Sequence, residues 1–164
     1  MSSMLSWLWL SLIVVGLDQF TKRLVDQSMQ LYQTIELLPF LQFTYLRNQG
    51  AAFSLLSQAG GWQRWFFIGL AVLASASICF WMTRLGKHQR FEAAAWALVL
   101  GGALGNLIDR ALYGYVIDFM DVFYEDWHWP AFNVADSSIT VGVVMLLLDS
   151  VLPKRLRPSS ETSV

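Results

Sequence analysis

The chain has 164 residues, room for one domain, and it is 55% hydrophobic and only 14% charged, with eight Trp and eleven Phe, which excludes an ordinary water-soluble domain. A formal net charge of −1 supplies no concentrated basic patch, so no nucleic-acid partner is expected. The single cysteine, Cys79, can close no internal disulfide, and His88 and His128 have no Cys or Glu at metal-ligand spacing, so neither a metal nor another cofactor is expected.

Four stretches approach the roughly 20 apolar residues that a bilayer-crossing helix needs: about 4–25, 65–82, 93–112 and 137–152. The first has no basic n-region and no small-residue cleavage motif, so it reads as a retained span rather than a removable leader. Within it, Asp18 and Lys22 stand four apart on one helix face. Such a pair neutralises itself near lipid, and the same contact would brace a neighbouring site.

The following segment, about 26–61, lacks helical periodicity. In "LQFTYLR", Leu41, Phe43 and Tyr45 alternate with Gln42, Thr44 and Leu46, and "NQG" supplies turn residues before "AAFSLL". The pattern predicts a β-hairpin on the outer membrane surface, with Phe40, Phe43, Tyr45 and Phe53 against headgroups or a substrate, and Pro39 at a strand start or edge. The third span ends in "AWALVLGGALGNLIDR", where Ala93, Ala97, Gly101 and Gly105 form a small-residue stripe that lets two membrane helices approach closely. Asn106, Asp109 and Arg110 close it at i, i+3 and i+4, and Arg110 is expected to project toward nearby carboxylates rather than to snorkel. No strand precedes the glycines, which argues against a nucleotide-binding loop.

An outer loop at about 113–135 carries Asp118 in "VIDFM", with Asp121, Glu125 and Asp126 read as its solvated face. "AFNVADSS" then places Asp136 at the mouth of the fourth span, where a helix N-cap is the simplest role. The polar tail at 157–164 is expected to be disordered. Trp62, Trp65, Trp81, Trp127 and Trp129 fall near span ends, as an interfacial belt requires. Arg84, Lys87 and Arg90 between spans two and three, and Lys154, Arg155 and Arg157 after span four, place those segments and the N-terminus in the cytoplasm. Lys22, Arg23, Arg47, Arg64 and Arg110 weaken that bias.

With this orientation, span one, span three, the 113–135 loop and span four all deliver polar groups to one outer face. Asp118 and Asp136 would meet there. Two carboxylates in a dry site cannot both ionise cheaply, so they share a proton, leaving one base to activate water and one acid to bond a carbonyl. That is sufficient for peptide hydrolysis without a metal. A nucleophilic pair of Ser137 or Ser138 with Lys22 is the weaker enzymatic alternative, since serines at helix starts are common caps. A proton-coupled transporter would place its acids near the midplane within internal repeats, and a non-catalytic scaffold would leave the collected aspartates unexplained.

The blocks "DQFTK" at 18–22, "NQGAAFSLL" at 48–56, "GGALGNLIDR" at 101–110, "YVIDFMDV" at 115–122 and "AFNVADSSITVG" at 131–142 together resemble those of the lipoprotein signal peptidases, or signal peptidases II. The resemblance runs over nearly the whole chain. It implies an all-α, four-span aspartyl protease of the bacterial cytoplasmic membrane, with a small β-sheet cradle and a short helical flap, expected at about 113–135, on the outer face and both termini in the cytoplasm. It further implies cleavage of diacylglyceryl-modified prolipoproteins before the lipidated cysteine, contact with membrane lipid, inhibition by globomycin-type peptides and a monomer. By the same resemblance Asp118 and Asp136 are the catalytic pair. Asn48, Asn106, Arg110 and Asn133 line the substrate pocket, and Asp18 and Lys22 support it.

Overall fold

A computed structural model describes residues 4–50 and 61–151. A 3-10 turn at Met4–Trp7 leads into α1 (Leu8–Ser28), and the other helices are α2 (Trp62–Arg84), α3 (Arg90–Leu112) and α4 (Val134–Val151). The strands are β1 (Thr34–Leu38), β2 (Leu41–Asn48), β3 (Val116–Tyr124) and β4 (Trp127–His128). Helix α3 is central and packs on α1, α2 and α4.

Helices α2, α3 and α4 are long and apolar enough to cross a membrane. At 1.5 Å per residue, the 23 residues of α2 and α3 extend ~35 Å and the 18 of α4 ~27 Å, against a hydrocarbon core of roughly 30 Å. Their outward residues are apolar, among them Trp65, Leu73 and Phe80 of α2 and Val141, Val144 and Leu147 of α4, all exposed. Such a surface is stable only against lipid or another apolar partner. Compared with the apolar runs, α2 and α3 begin three residues earlier, and α4 starts at Val134 rather than 137.

The small-residue stripe faces α1. The Ser11 hydroxyl donates to the Ala97 carbonyl at 2.7 Å, and a Cβ added at Gly105 would stand 2.6 Å from Asp18 Oδ2. One position along, Gly102 faces α4, where an added Cβ would collide with the Ala135 carbonyl. Side chains at these two positions would push both neighbours away from α3.

The four strands form one antiparallel sheet in the order β1-β2-β3-β4. Two expectations are corrected here. The partner of β2 across its hairpin is β1, with Pro39 and Phe40 in the connecting turn, rather than the segment after "NQG"; residues 51–60, including Phe53, lie outside those described. Across 113–135 the expected helical flap is replaced by β3 and β4, because "VIDFMDVFY" is rich in β-branched and aromatic residues, and in a strand successive side chains leave on opposite faces with a period of two. That period sends Ile117 and Phe119 into a cluster with Tyr45 and with Val25 and Met29 at the end of α1. Val116 and Asp118 point the opposite way. The tail at 157–164 also lies outside the described residues.

Candidate active site

Helix α4 begins with a reciprocal cap. Asn133 Oδ1 accepts from the backbone N–H of Asp136 at 2.9 Å, and Asp136 Oδ2 accepts from the backbone N–H of Asn133 at 3.2 Å. The capping residue is therefore Asn133, and Asp136 is the third residue of the helix, not the N-cap that its position suggested. The Asn133 oxygen being held by an N–H donor, its amide nitrogen must turn inward, where it donates to Asp118 Oδ1 at 2.8 Å. Asn133→Ala removes this cap, and loss of a cap costs ~0.5–2 kcal/mol. The variant is expected to melt at lower temperature in detergent by tryptophan fluorescence; an unchanged melting temperature would show that something else holds the start of α4.

Asp118 is reached from the other side by β2. Leu46 pairs with Asp118 and Asn48 with Val116, so Asn48 and Asp118 are diagonal neighbours on one face of the sheet. A bulge between Phe43 and Leu46 sets this register. Asn48 Oδ1 accepts from the Gly50 N–H at 3.0 Å, closing a turn at "NQG", and its Nδ2 donates to Asp118 Oδ2 at 2.9 Å. Asn106 Nδ2, from α3, donates to Asp136 Oδ1 at 2.8 Å. Each of the four carboxylate oxygens thus accepts one N–H.

Both aspartates line a cleft of about 560 Å³ with Asn48, Asn106 and Arg110. Its wall continues through Trp129, Pro130 and Phe132 to Ile139 and Val141, so an apolar channel leads from the acids along α4. Asp118 is 4% exposed. Burial, and next the charge of Asp136, push its carboxyl up from 3.8 to about 7. Arg110 lines the cleft but does not ion-pair with either aspartate among the described residues. It donates to the Gly50 carbonyl at 3.0 Å and lies 5.0 Å over the Phe67 ring.

Asp18 and Lys22 are buried behind the cleft. Lys22 Nζ lies 2.8 Å from Asp18 Oδ2 and 2.9 Å from Asp109 Oδ2, and Asp18 Oδ1 accepts from the Ala135 N–H of α4 at 2.9 Å. Asp109 also accepts from Gln19 Nε2 at 2.8 Å and from the Ile117 N–H at 3.3 Å, joining α1, α3 and β3. The sequence alone assigns no role to Asp109 or Gln19, although Asp109 follows Asn106 by three and so shares its helix face. Asp121, read as part of a solvated face, is 6% exposed and accepts from Gln42 Nε2 at 2.6 Å, with His128 Nδ1 at 2.9 Å. Ser137 and Ser138 turn their hydroxyls to backbone carbonyls, at Asn133 and Ala135 respectively, and away from Lys22.

Residues 10–152 match the family model described as signal peptidase (SPase) II. A lipoprotein signal peptidase of Alteromonas mediterranea is 50% identical over 145 residues, covering 88% of this chain and 80% of its own. One from Acinetobacter baumannii strain SDF is 50% identical over 156 residues, covering 95% and 89%. A bacterial membrane enzyme solved by the in meso method at 2.3 Å resolution superposes with a TM-score of 0.81 at 31% identity, covering 97% of this chain and 94% of its own. Together with the apolar helices these likenesses make the chain a bacterial membrane protein, and it belongs to the signal peptidase II family of proteases.

Proposed function

We propose that this chain removes the signal peptide from diacylglyceryl-modified prolipoproteins, cleaving before the lipidated cysteine, with Asp118 and Asp136 as an aspartic dyad. The observation that carries the reading is the placement of both carboxylates in one cleft whose far wall is apolar and runs along α4. Asp136 takes a proton from water as the oxygen attacks the scissile carbonyl, while Asp118, holding its proton, donates to the carbonyl oxygen. Collapse of the tetrahedral intermediate returns one diol proton to Asp118 as the C=O reforms and the C–N bond breaks, and the proton on Asp136 passes to the leaving amine. Arg110 lines the same cleft, and its buried Nε has no partner among the described residues, so a small turn of the guanidinium would let it hold a backbone carbonyl of the substrate. The diacylglyceryl chains, anchored in the bilayer, place the peptide bond at the cleft, so that binding energy remote from the reaction positions it.

We infer that α1 is a fourth crossing. Asp18 and Lys22 are turned inward and buried, and its exposed charges, Arg23 and Asp26, are confined to its last two turns, whereas Leu12, Ile13, Leu17, Phe20 and Leu24 are exposed along its outer side. The dyad then faces the outer side of the cytoplasmic membrane with both termini in the cytoplasm, and the protein acts as a monomer.

The test is turnover of a purified lipidated precursor beside its unlipidated form, with and without a globomycin-type peptide, from about pH 5 to 9. Cleavage confined to the lipidated form and blocked by the peptide is expected. Because Asp118 must carry a proton, kcat/KM is expected to fall as pH rises through about 7. Equal cleavage of both forms, or a rate still rising at the alkaline end, would contradict the reading.

A further inference from the structure

Besides its two carboxylate partners, Lys22 Nζ donates to Asn106 Oδ1 at 2.9 Å. An ammonium has three N–H donors and no acceptor, so the contacts with Asp18, Asp109 and Asn106 use every proton of Lys22. Its charge is already met by two carboxylates. The third bond, to a neutral amide, adds no ion pairing, and its consequence is geometric.

An amide has one accepting end and one donating end. With its oxygen held by Lys22, and more distantly by Asn133 Nδ2 at 3.3 Å, Asn106 must turn Nδ2 the other way, toward Asp136 Oδ1. Turned over, it would set a donor against the ammonium and an acceptor against the carboxylate. The ammonium also draws electron density from the amide oxygen, which strengthens the N–H that Asp136 accepts. Lys22 itself is 2% exposed and is absent from the cleft wall.

We propose that Lys22 is a positioning residue for the reaction, acting through Asn106: it locks and polarises that amide so that an N–H always faces Asp136 and holds this carboxylate in place for the attacking water. The inference rests on the aspartic-dyad reading above.

The test is a double-mutant cycle on a diacylglyceryl-cysteine precursor peptide. Lys22→Met is expected to lower kcat about a hundredfold while KM moves less than about threefold, because the residue touches no substrate. Asn106→Ala is expected to cause a similar loss, and Lys22→Met added to Asn106→Ala to lower kcat no further, within about threefold. Losses that multiply in the double variant, or a wild-type kcat in Lys22→Met, would overturn the proposal. Should Lys22→Met fail to melt cooperatively, the Asp18→Asn, Lys22→Met, Asp109→Asn triple variant leaves no uncompensated charge and carries the same comparison with and without Asn106→Ala. Activity remaining in Asp136→Asn would instead remove the dyad itself. An inactive Asp136→Asn beside Lys22 variants of full kcat would remove only the role of Lys22.

Discussion

Asp118→Asn and Asp136→Asn, made separately, are each expected to lower turnover of a lipidated precursor at least about a thousandfold. An amide at 136 cannot take the proton of water, and an amide at 118 is a far weaker acid toward the carbonyl. Near-normal turnover by either variant would end the dyad proposal. Stability supplies an independent readout. Because the folded chain holds the Asp118 proton up to about pH 7, whereas an ordinary carboxyl releases it near 3.8, ionisation of Asp118 opposes folding. The penalty is absent at pH values below the unfolded pKa, grows as pH rises, and is complete above the folded pKa. Three pH units correspond to about 4 kcal/mol as an order of magnitude. Wild type should therefore lose stability relative to Asp118→Asn between about pH 4 and pH 8. A difference that does not change with pH would show that Asp118 ionises as freely when folded as when unfolded.

Gly102→Val is expected to damage the fold most among single substitutions away from the dyad. Its Cβ would meet the Ala135 carbonyl, with Ser138 Oγ at 2.6 Å and Ile139 Cγ1 at 2.7 Å. The carbonyl is backbone in the first turn of α4, so no side-chain rotation relieves it and the two helices must part. Overpacking of this kind costs ~1–3 kcal/mol or more. The displaced turn carries Asp136, whose 2.8 Å bond from Asn106 spans the same helix pair, so a turnover loss of at least about a hundredfold is expected beside the lowered melting temperature. Gly16→Ala in α1 is the matched control, since nothing lies within 4 Å of its added Cβ. Full activity and an unchanged melting temperature in Gly102→Val would mean that α3 and α4 do not approach this closely.

Much of the helical framework was legible because lipid as solvent demands long apolar runs and the chain supplies them. The polar residues near the ends of those runs were legible for the complementary reason, that such groups are costly there unless used. Asn48, Asn106 and Asn133, drawn from three distant motifs, meet the two aspartates as N–H donors. What stayed hidden depended on partners remote in sequence. Asp121 looks like a loop acid until Gln42 is brought beside it from 79 residues away. "VIDFMDVFY" carries two acids and does not announce itself as a strand, because a strand buried on both faces lacks the clean polar alternation of a half-exposed one. The cap stands three residues before the position that the sequence suggests, since Asn133 and Asp136 are both good capping types and only the geometry distinguishes them.

The contact between Asn106 and Asp136 also fixes depth. From Asn106 to the last residue of α3, Leu112, six further residues rise ~9 Å, so Asp136 sits about a turn and a half below that end of the helix. A substrate whose cleavage point stayed helical at that level would present carbonyls already engaged by its own amides four residues on. Under the proposed reaction, a scissile stretch that arrived helical would have to uncoil before attack. Precursors whose cleavage region favours extended backbone should be turned over faster than helix-favouring ones bearing the same lipid.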